Sequence, residues 1–407
     1  MSENKIQVYG YRWVILAVFA LITILIEMQW LTFAPIAREA KVFYGVSALQ
    51  IDALSMLFMA VFVVMCIPAS YVIDTYGMRI GIGIGTVLTG VFALMKGFYA
   101  DSYTMVFIAQ IGLAVAQPFI LNAATKVAVR WFPINERATA VGVATLAQFL
   151  GIIAVMLATP EMIKAGNGGT ANINNVMMTY GVIAAAGSVI VLLFLKERPA
   201  TPPGVEVEDE RMNYLEGFKQ VMSNRDMKIA MVLFFIGLGI FNAVSTVVDQ
   251  ISEMKGFNME QSGLIGGIML IAGIFGAIIL PPVSDKVRKR KPFIILGMAL
   301  MIPGLIGLAL SMDYTIVLMS SFILGFFLLG AGGPVGFQYA AEISSPGYES
   351  STQGILLLAG QLSGIIFIIG MNTIGMKEFL IAFVVLAAIN VLLATKLNES
   401  KMITEGQ

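Results

Sequence analysis

Two residues that could do chemistry lie one helical turn apart in the first apolar stretch of the chain. Glu27 and Trp30 stand in a run that is otherwise almost wholly apolar over 13–36, and an i,i+3 spacing puts both on one helix face. A carboxylate at membrane depth is costly and usually faces a cavity or a partner. Glu27 could therefore attract a cation, accept a coupling proton or hydrogen-bond to a neighbouring helix. Trp30 could line a cavity or belong to an interfacial tryptophan belt.

Four amide side chains stand in other apolar segments. Residues 142–153 read GVATLAQFLGII and residues 354–366 read GILLLAGQLSGII, so that Gln148 aligns with Gln361 at an offset of 213. Asn242 follows Trp30 by 212 residues, and Gln117 is the fourth amide. Such amides can join two helices by hydrogen bonds, or they can line a binding site near the axis that relates two repeats.

A polar loop follows the second apolar segment and has a counterpart later in the chain. It reads DTYGMR over 74–79, in which Gly77 permits a tight turn and Asp74 can cap a helix end or pair with a cation. The loop after the eighth segment reads DKVRKR over 285–290, with its aspartate 211 residues after Asp74. Two similar offsets at separate places predict a duplicated unit. The simpler interpretation of the arginines, Arg79 among them, is that they only fix topology.

The composition argues against an enzyme. The chain has no histidine, which removes the commonest general base and metal ligand, and one cysteine, Cys66, which excludes a disulfide framework. We find no nucleophile–base pair, no metal cluster and no phosphate-binding loop of the Walker type. The sequence therefore predicts no enzymatic activity and no cofactor. Equal numbers of acidic and basic residues, 25 each, give no reason to expect nucleic acid.

Apolar segments long enough to cross a bilayer dominate the chain. Only 12% of its 407 residues are charged, against about 25% in a soluble domain, and a span needs about 20 apolar residues. We predict an all-α membrane protein with twelve transmembrane helices in two pseudo-symmetric halves: 1–195, a cytoplasmic linker at 196–227, and 228–407. The predicted spans are 12–35, 50–73, 80–98, 104–127, 137–159, 174–195, 228–251, 261–283, 292–311, 314–339, 352–372 and 377–396.

The distribution of basic residues predicts the orientation. Nineteen of the 25 Lys and Arg residues fall on one side if both termini are cytoplasmic, as the positive-inside rule requires. We find no cleavable signal peptide, because the first apolar run is too long for a signal h-region. The compact loops favour a prokaryotic cytoplasmic membrane.

The parallel repeat and the loop at 74–79 resemble the major facilitator superfamily, and so does the segment RWFPINER over 130–137. The resemblance implies two six-helix bundles that work by alternating access, with the substrate site between them. It also implies that the repeated loops latch the bundles on the cytoplasmic side. The candidate gating residues are Asp74, Gly77, Arg79, Asp285 and Arg288.

Further segments resemble one branch, the feline leukaemia virus subgroup C receptor-related transporters, whose members carry choline and ethanolamine and have been linked to haem. The segments are MQW at 28–30, FYGV at 43–46, IDALSM at 51–56, VAQPFIL at 115–121, AVST at 243–246 and AEISSP at 341–346. The resemblance implies that the solute's ammonium group lies against aromatic faces with glutamines nearby, which Trp30, Gln148 and Gln361 match. Asn242 stands where that branch tends to have a tyrosine, which removes one wall of an aromatic cage.

We therefore expect a secondary active or facilitative transporter of a small polar or cationic organic solute. The candidate substrate-binding residues are Glu27, Trp30, Gln148, Asn242, Gln361 and Gln117. The expected partners are that solute, the lipid bilayer and a coupling proton or sodium ion, and we expect a monomer. The alternatives are export of amphipathic drugs or other organic solutes and, outside transport, a membrane receptor.

Overall fold

The computed structural model describes residues 8–133, 136–165, 172–201, 223–344 and 349–400. Within these residues, twelve helices are long and apolar enough to cross a membrane, which confirms the predicted all-α membrane protein. The chain folds into two compact units, Met1–Phe33 with Glu39–Asp209 and Ala34–Arg38 with Glu210–Gln407. Most of the predicted linker, 202–222, lies outside the described residues.

The helices before the linker begin and end close to the predicted positions. They are α1 (Arg12–Trp30), α2 (Ala37–Tyr44), α3 (Ala48–Tyr76), α4 (Met78–Phe98), α5 (Tyr103–Leu121), α6 (Ala124–Trp131), α7 (Arg137–Ala165) and α8 (Ile173–Phe194), with a short 3-10 turn at Ala34–Ile36. In this unit α1 packs against α5, α7 and α8, and α4 packs against α5 and α8.

The second unit repeats this order. Its helices are α9 (Arg225–Thr246), α10 (Val248–Met254), α11 (Met259–Val287), α12 (Lys291–Leu310), α13 (Tyr314–Phe327), α14 (Gly336–Ser344), α15 (Glu349–Ile374) and α16 (Met376–Thr395), with a π-helical segment at Leu328–Val335. In this unit α9 packs against α15, and α11 packs against α13.

Equivalent helices of the two units begin in the same way. The second span of each starts with a capping box, Ser47 with Gln50 in α3 and Asn258 with Gln261 in α11. In a capping box each side chain satisfies a backbone N–H that the first helical turn leaves unpaired. The two cap residues lie 211 positions apart, the same offset as that between the aspartates of the repeated loops. The local signals that start the helices were therefore duplicated together with the spans.

The first span of each unit breaks near its far end. The C-cap of α1 is Leu31 at φ −106° and ψ 22°, and the C-cap of α9 is Val247 at φ −104° and ψ 22°. Both side chains are fully buried, as expected where the backbone leaves the helix at membrane depth. The predicted first and seventh spans are therefore interrupted, close to Pro35 in the first and to Asp249 in the seventh. The breaks lie directly after Trp30 and Thr246.

The tenth span contains the π-helical segment Leu328–Val335, which is rich in glycine and includes Pro334. A Cβ atom on Gly330 would clash with the backbone of Gly276 in α11, and a Cβ atom on Gly276 would clash with the carbonyl of Phe326. The two segments can therefore pack backbone to backbone at this level, which explains the Gly-rich sequence.

Candidate functional site

Glu27 lies where three helices of the first unit meet. Its side chain on α1 is buried, and its Oε1 accepts a hydrogen bond from Gln117 Nε2 on α5 at 2.9 Å. On α7, a Cβ atom added to Gly151 would lie 2.9 Å from Glu27 Cβ, so that α7 approaches α1 closely at this level. The structure therefore brings together two of the predicted site residues, Glu27 and Gln117.

The Glu27 carboxylate has no cation beside it in the described part of the chain. None of the described ion pairs includes Glu27, and its second oxygen, Oε2, has no hydrogen-bond partner among the described residues. A buried carboxylate is usually paired or coordinated. This one can therefore bind a proton, an inorganic cation or an organic cation.

Trp30 is held one turn further along α1. Its indole Nε1 donates to the carbonyl oxygen of Ser55 on α3 at 3.2 Å, and Ser55 Oγ donates to the carbonyl oxygen of Trp30 at 3.2 Å. The side chain is 7% exposed. This reciprocal pair fixes the orientation of the indole ring and favours a place inside the bundle over an interfacial belt.

Gln148 contacts neither Glu27 nor Gln117 through a hydrogen bond. It is half-buried on α7, and it has no hydrogen-bond partner among the described residues. It precedes Gly151, the residue that faces Glu27, by three positions and thus by about one helical turn. Its amide remains available at nearly the level of the carboxylate.

In the second unit, Asn242 joins α9 to α15. Its Nδ2 donates to the carbonyl oxygen of Gly360 at 3.2 Å. The next residue, Gln361, is half-buried, and its Oε1 is shielded from solvent without a hydrogen-bond partner. The structure therefore brings the predicted residues Asn242 and Gln361 to the same level of neighbouring helices. Two hydroxyls close to Asn242, those of Ser245 and Thr246, also lack partners.

Two residues outside the predicted set, Lys126 and Glu197, hydrogen-bond to the first repeated loop. Asp74 accepts a hydrogen bond from Lys126 Nζ at 2.8 Å. Gly77 has φ +95°, and the Glu197 carboxylate accepts from the backbone N–H groups of Met78 at 3.2 Å and Arg79 at 2.7 Å. The predicted tight turn is confirmed. The Arg79 side chain is exposed and has no partner among the described residues.

In the second repeated loop, the buried arginine is Arg290 and not the predicted Arg288. Arg288 adopts a left-handed conformation at the end of α11 (φ 54°), and its side chain is exposed. Arg290 is 5% exposed, pairs with Asp285, and donates to Glu342 Oε1 at 2.9 Å. Although burial opposes it, the hydrogen bonds and charges of these two carboxylates raise the pKa of Arg290 above its usual value. The repeat offset of 211 aligns Arg79 with Arg290 and could have identified it.

A carboxylate also caps the helix after this loop. Glu399 accepts hydrogen bonds from the backbone N–H groups of Arg290 at 2.8 Å and Lys291 at 3.1 Å. Glu197 does the same for α4, and each of the two glutamates follows the last span of its own unit. A negative charge at a helix N-terminus is stabilising. In each unit, therefore, a glutamate that follows the last span holds the loop after the second span.

The second unit also contains a buried ion pair. Arg38 donates through Nε and NH2 to Asp249 Oδ1 at 3.0 and 2.7 Å, and it reaches the carbonyl oxygen of Phe257 at 2.8 Å. The Asp249 side chain is fully buried, and Ser262 Oγ donates to it at 2.9 Å. Burial raises the pKa of Asp249 above its usual value, while Arg38 and Ser262 act to lower it.

These features define a class of protein. Twelve apolar spans, a buried carboxylate with no described cation beside it, and unpaired amides in both units are the marks of a membrane carrier for a solute. A family model of the Major Facilitator Superfamily matches residues 10–368, and the chain therefore belongs to that superfamily. Its members carry solutes and are not enzymes.

Relatives support the narrower resemblance. The chain is 27% identical over 388 residues to the Choline/ethanolamine transporter FLVCR2 of Rattus norvegicus, covering 92% of this chain and 71% of that protein. It is 27% identical over 380 residues to an uncharacterized MFS-type transporter of Caenorhabditis elegans, covering 89% of this chain and 65% of that one. The chain thus spans about two thirds of the length of these relatives, both of which are animal proteins. They give no support to the expected prokaryotic source, which stays a prediction.

The fold agrees with solved structures. A bacterial homologue of the human lysosomal transporter Spinster, in an inward-facing and unoccupied conformation, matches with a TM-score of 0.76 at 15% identity. The match covers 95% of this chain and 97% of that one. The predicted fold class is therefore confirmed.

Proposed function

We propose that the chain carries a small cationic or polar organic solute, an amine similar to choline or ethanolamine, by alternating access. The observation that carries the proposal is Glu27, a buried carboxylate without a described cationic partner. Trp30 supports it, because an indole held one turn from a carboxylate can add a cation–π contact worth about 0.5–2 kcal/mol. The rat relative is a transporter of this kind by name.

We propose that Gln117 orients the Glu27 carboxylate, that Trp30 lies against the solute's ammonium group, and that Gln148 hydrogen-bonds the solute's polar end. In the second unit, Asn242 and Gln361 would supply amide oxygens. Asp74, Gly77, Arg79, Asp285 and Arg288 would act in gating, with Arg290 as the buried arginine of the second loop.

Glu27 leaves two energy sources open. If the solute's ammonium group balances the carboxylate, transport needs no coupling ion. If a proton or sodium ion balances it, uptake follows that ion's gradient. We propose further that both termini are cytoplasmic and that the carrier works as a monomer in the bilayer.

Uptake of radiolabelled ethanolamine and choline into proteoliposomes tests the proposal. Glu27→Gln keeps the hydrogen bond to Gln117 possible and removes the charge, and we expect it to lower uptake by at least about tenfold, since 1.4 kcal/mol is a factor of ten. The matched control is Glu161→Gln, an exposed carboxylate of the same unit, which should transport normally. Normal uptake by Glu27→Gln, or no amine uptake by the wild type, would overturn the proposal.

A further inference from the structure

The second repeated loop carries three exposed cations that the first loop lacks. Lys286, Arg288 and Lys289 are all exposed, and none of their side chains forms an ion pair or a hydrogen bond with a described residue. We call these three residues the basic cluster. The repeat offset of 211 aligns them with uncharged residues of the first loop, Thr75, Gly77 and Met78. The first loop forms its turn and receives its glutamate cap with those residues, so the turn itself does not require the three charges.

The described carboxylates that contact the second loop are already engaged. Asp285 and Glu342 both pair with Arg290. Glu399 accepts hydrogen bonds from the backbone N–H groups of Arg290 and Lys291. The basic cluster therefore places three like charges within four residues, and no carboxylate in the described part of the chain balances them. An anion from outside the chain would supply the missing charge.

The backbone at Arg288 favours glycine and yet carries an arginine. Arg288 is the one described residue other than glycine that has a positive φ, at 54°. Gly77, at the equivalent position of the first loop, has φ +95°. This left-handed region is open to glycine and strained for other residues. A strained residue of this kind points to a function, and here the charge of Arg288 has a use that the turn does not explain.

The exposed apolar surface of α11 leads directly to the basic cluster. Phe275, Ile279, Val283 and Val287 are exposed along the last turns of α11. Lys286 follows Ile279 by seven residues, which is close to two helical turns, so both lie on one face of the helix. An exposed apolar face of a span can contact acyl chains, and cations at its end then reach the level of the lipid headgroups. As the eighth span, α11 ends on the side of the N-terminus, which we propose to be cytoplasmic.

We propose that the basic cluster binds the phosphate of an anionic phospholipid of the surrounding membrane. Such a lipid matches both features, because its acyl chains cover the exposed face of α11 and its phosphate balances the cations. A soluble phosphate would use the cations alone. Basic residues directly beyond a span attract anionic lipid, and each one strengthens binding about fivefold. This partner is separate from the transported solute.

The melting temperature of the detergent-purified full chain tests the inference. Phosphatidylglycerol would be titrated into neutral detergent micelles, beside phosphatidylcholine with the same acyl chains and beside soluble glycerol 1-phosphate. A ligand stabilises the state that it binds, so we expect phosphatidylglycerol alone to raise the melting temperature. Salt at about 1 M should abolish the rise, because it shortens the Debye length to about 3 Å.

A triple variant assigns the effect to the basic cluster. Lys286→Thr, Arg288→Gly and Lys289→Met together give the second loop the residues of the first. Because the first loop forms its turn with these residues, the variant should keep its melting temperature in neutral detergent. The concentration of phosphatidylglycerol needed for half of the maximal stabilisation should rise on the order of 100-fold, at about fivefold for each cation. The control Lys228→Gln, which neutralises an exposed lysine of α9, should leave that concentration unchanged.

Every other outcome would count against the inference. No stabilisation by phosphatidylglycerol, or a triple variant that responds as the wild type does, would mean that the cluster binds no such lipid. Equal stabilisation by phosphatidylcholine would mean that acyl chains suffice, and stabilisation by glycerol 1-phosphate would indicate a soluble phosphate. A triple variant less stable than the wild type in neutral detergent would mean that the cations pair within the chain, for example with the acidic run at 206–210.

Discussion

Removing Arg38 should destabilise the second unit through the aspartate that it leaves behind. In Arg38→Gln, the fully buried Asp249 keeps Ser262 as a donor but loses its charged partner. Breaking a buried ion pair by removing one partner costs about 3–5 kcal/mol, because the remaining charge is uncompensated. For a unit of about 200 residues each kcal/mol is worth about 2–4 °C. We therefore expect the melting temperature to fall by about 10 °C.

The pH dependence of the stability of Arg38→Gln shows whether the uncompensated Asp249 charge causes the loss. Burial raises the pKa of Asp249, and Arg38 holds it down; without Arg38 the folded pKa rises further above the ordinary value of about 3.9. A folded carboxyl with a raised pKa binds a proton that the unfolded chain releases, so stability falls as pH rises between the two pKa values. The loss of stability caused by Arg38→Gln should be smallest near pH 4. It should grow as the pH rises, until the pH exceeds the raised pKa of Asp249.

Thermal unfolding in detergent across this pH range is the assay, with two comparison variants. Arg38→Met combined with Asp249→Leu removes both charges and should recover most of the loss. Arg12→Gln breaks an ion pair whose partner, Glu136, is 31% exposed, and it should cost no more than about 1 kcal/mol. A double variant as unstable as Arg38→Gln, or a loss of stability independent of pH, would show that the unpaired Asp249 charge is not the cause.

Three smaller effects should follow from the first unit, all measured as melting temperatures of purified variants. Gly77→Ala should cost about 1–2 kcal/mol, because Gly77 has φ +95° and a Cβ atom there would lie 2.7 Å from the Glu197 carboxylate; an unchanged melting temperature would contradict the turn. Ser47→Ala removes the capping box of α3 and should cost about 1 kcal/mol, and no loss would mean that the cap is not formed. Lys126→Met should cost less than about 1 kcal/mol, because its partner Asp74 is 60% exposed; a larger loss would show that this loop is coupled to the rest of the unit.

The spans and the repeat could be predicted because their signals are local. Apolar length alone predicts a membrane helix, and matching offsets at Gln148 with Gln361 and at Asp74 with Asp285 indicate duplication. Apolar length alone misses the breaks after Trp30 and Thr246, because it treats each segment as one uninterrupted helix, although Pro35 follows the first break and Asp249 follows the second. Packing against the rest of each unit decides where those helices end.

The candidate site was predictable residue by residue but not as a set of contacts. Glu27 stands out because a carboxylate in a span is rare, but its partner Gln117 lies 90 residues away, and only the fold shows the bond. Ser245 and Thr246 were part of the resemblance, yet nothing in the sequence distinguishes a hydroxyl that bonds its own helix from one that does not.

Charged and neutral solutes of the same shape test directly whether Glu27 recognises the solute by its positive charge. Choline and its uncharged isostere 3,3-dimethyl-1-butanol, and ethanolamine and ethylene glycol, would be added to the purified protein while its melting temperature is recorded, because a ligand stabilises the state that it binds. We expect the amines to stabilise the wild type, the neutral compounds to have no effect, and Glu27→Gln to abolish the difference. Equal stabilisation by the charged and neutral members of a pair, or by none of the four, would contradict a carrier whose site is built around a buried carboxylate.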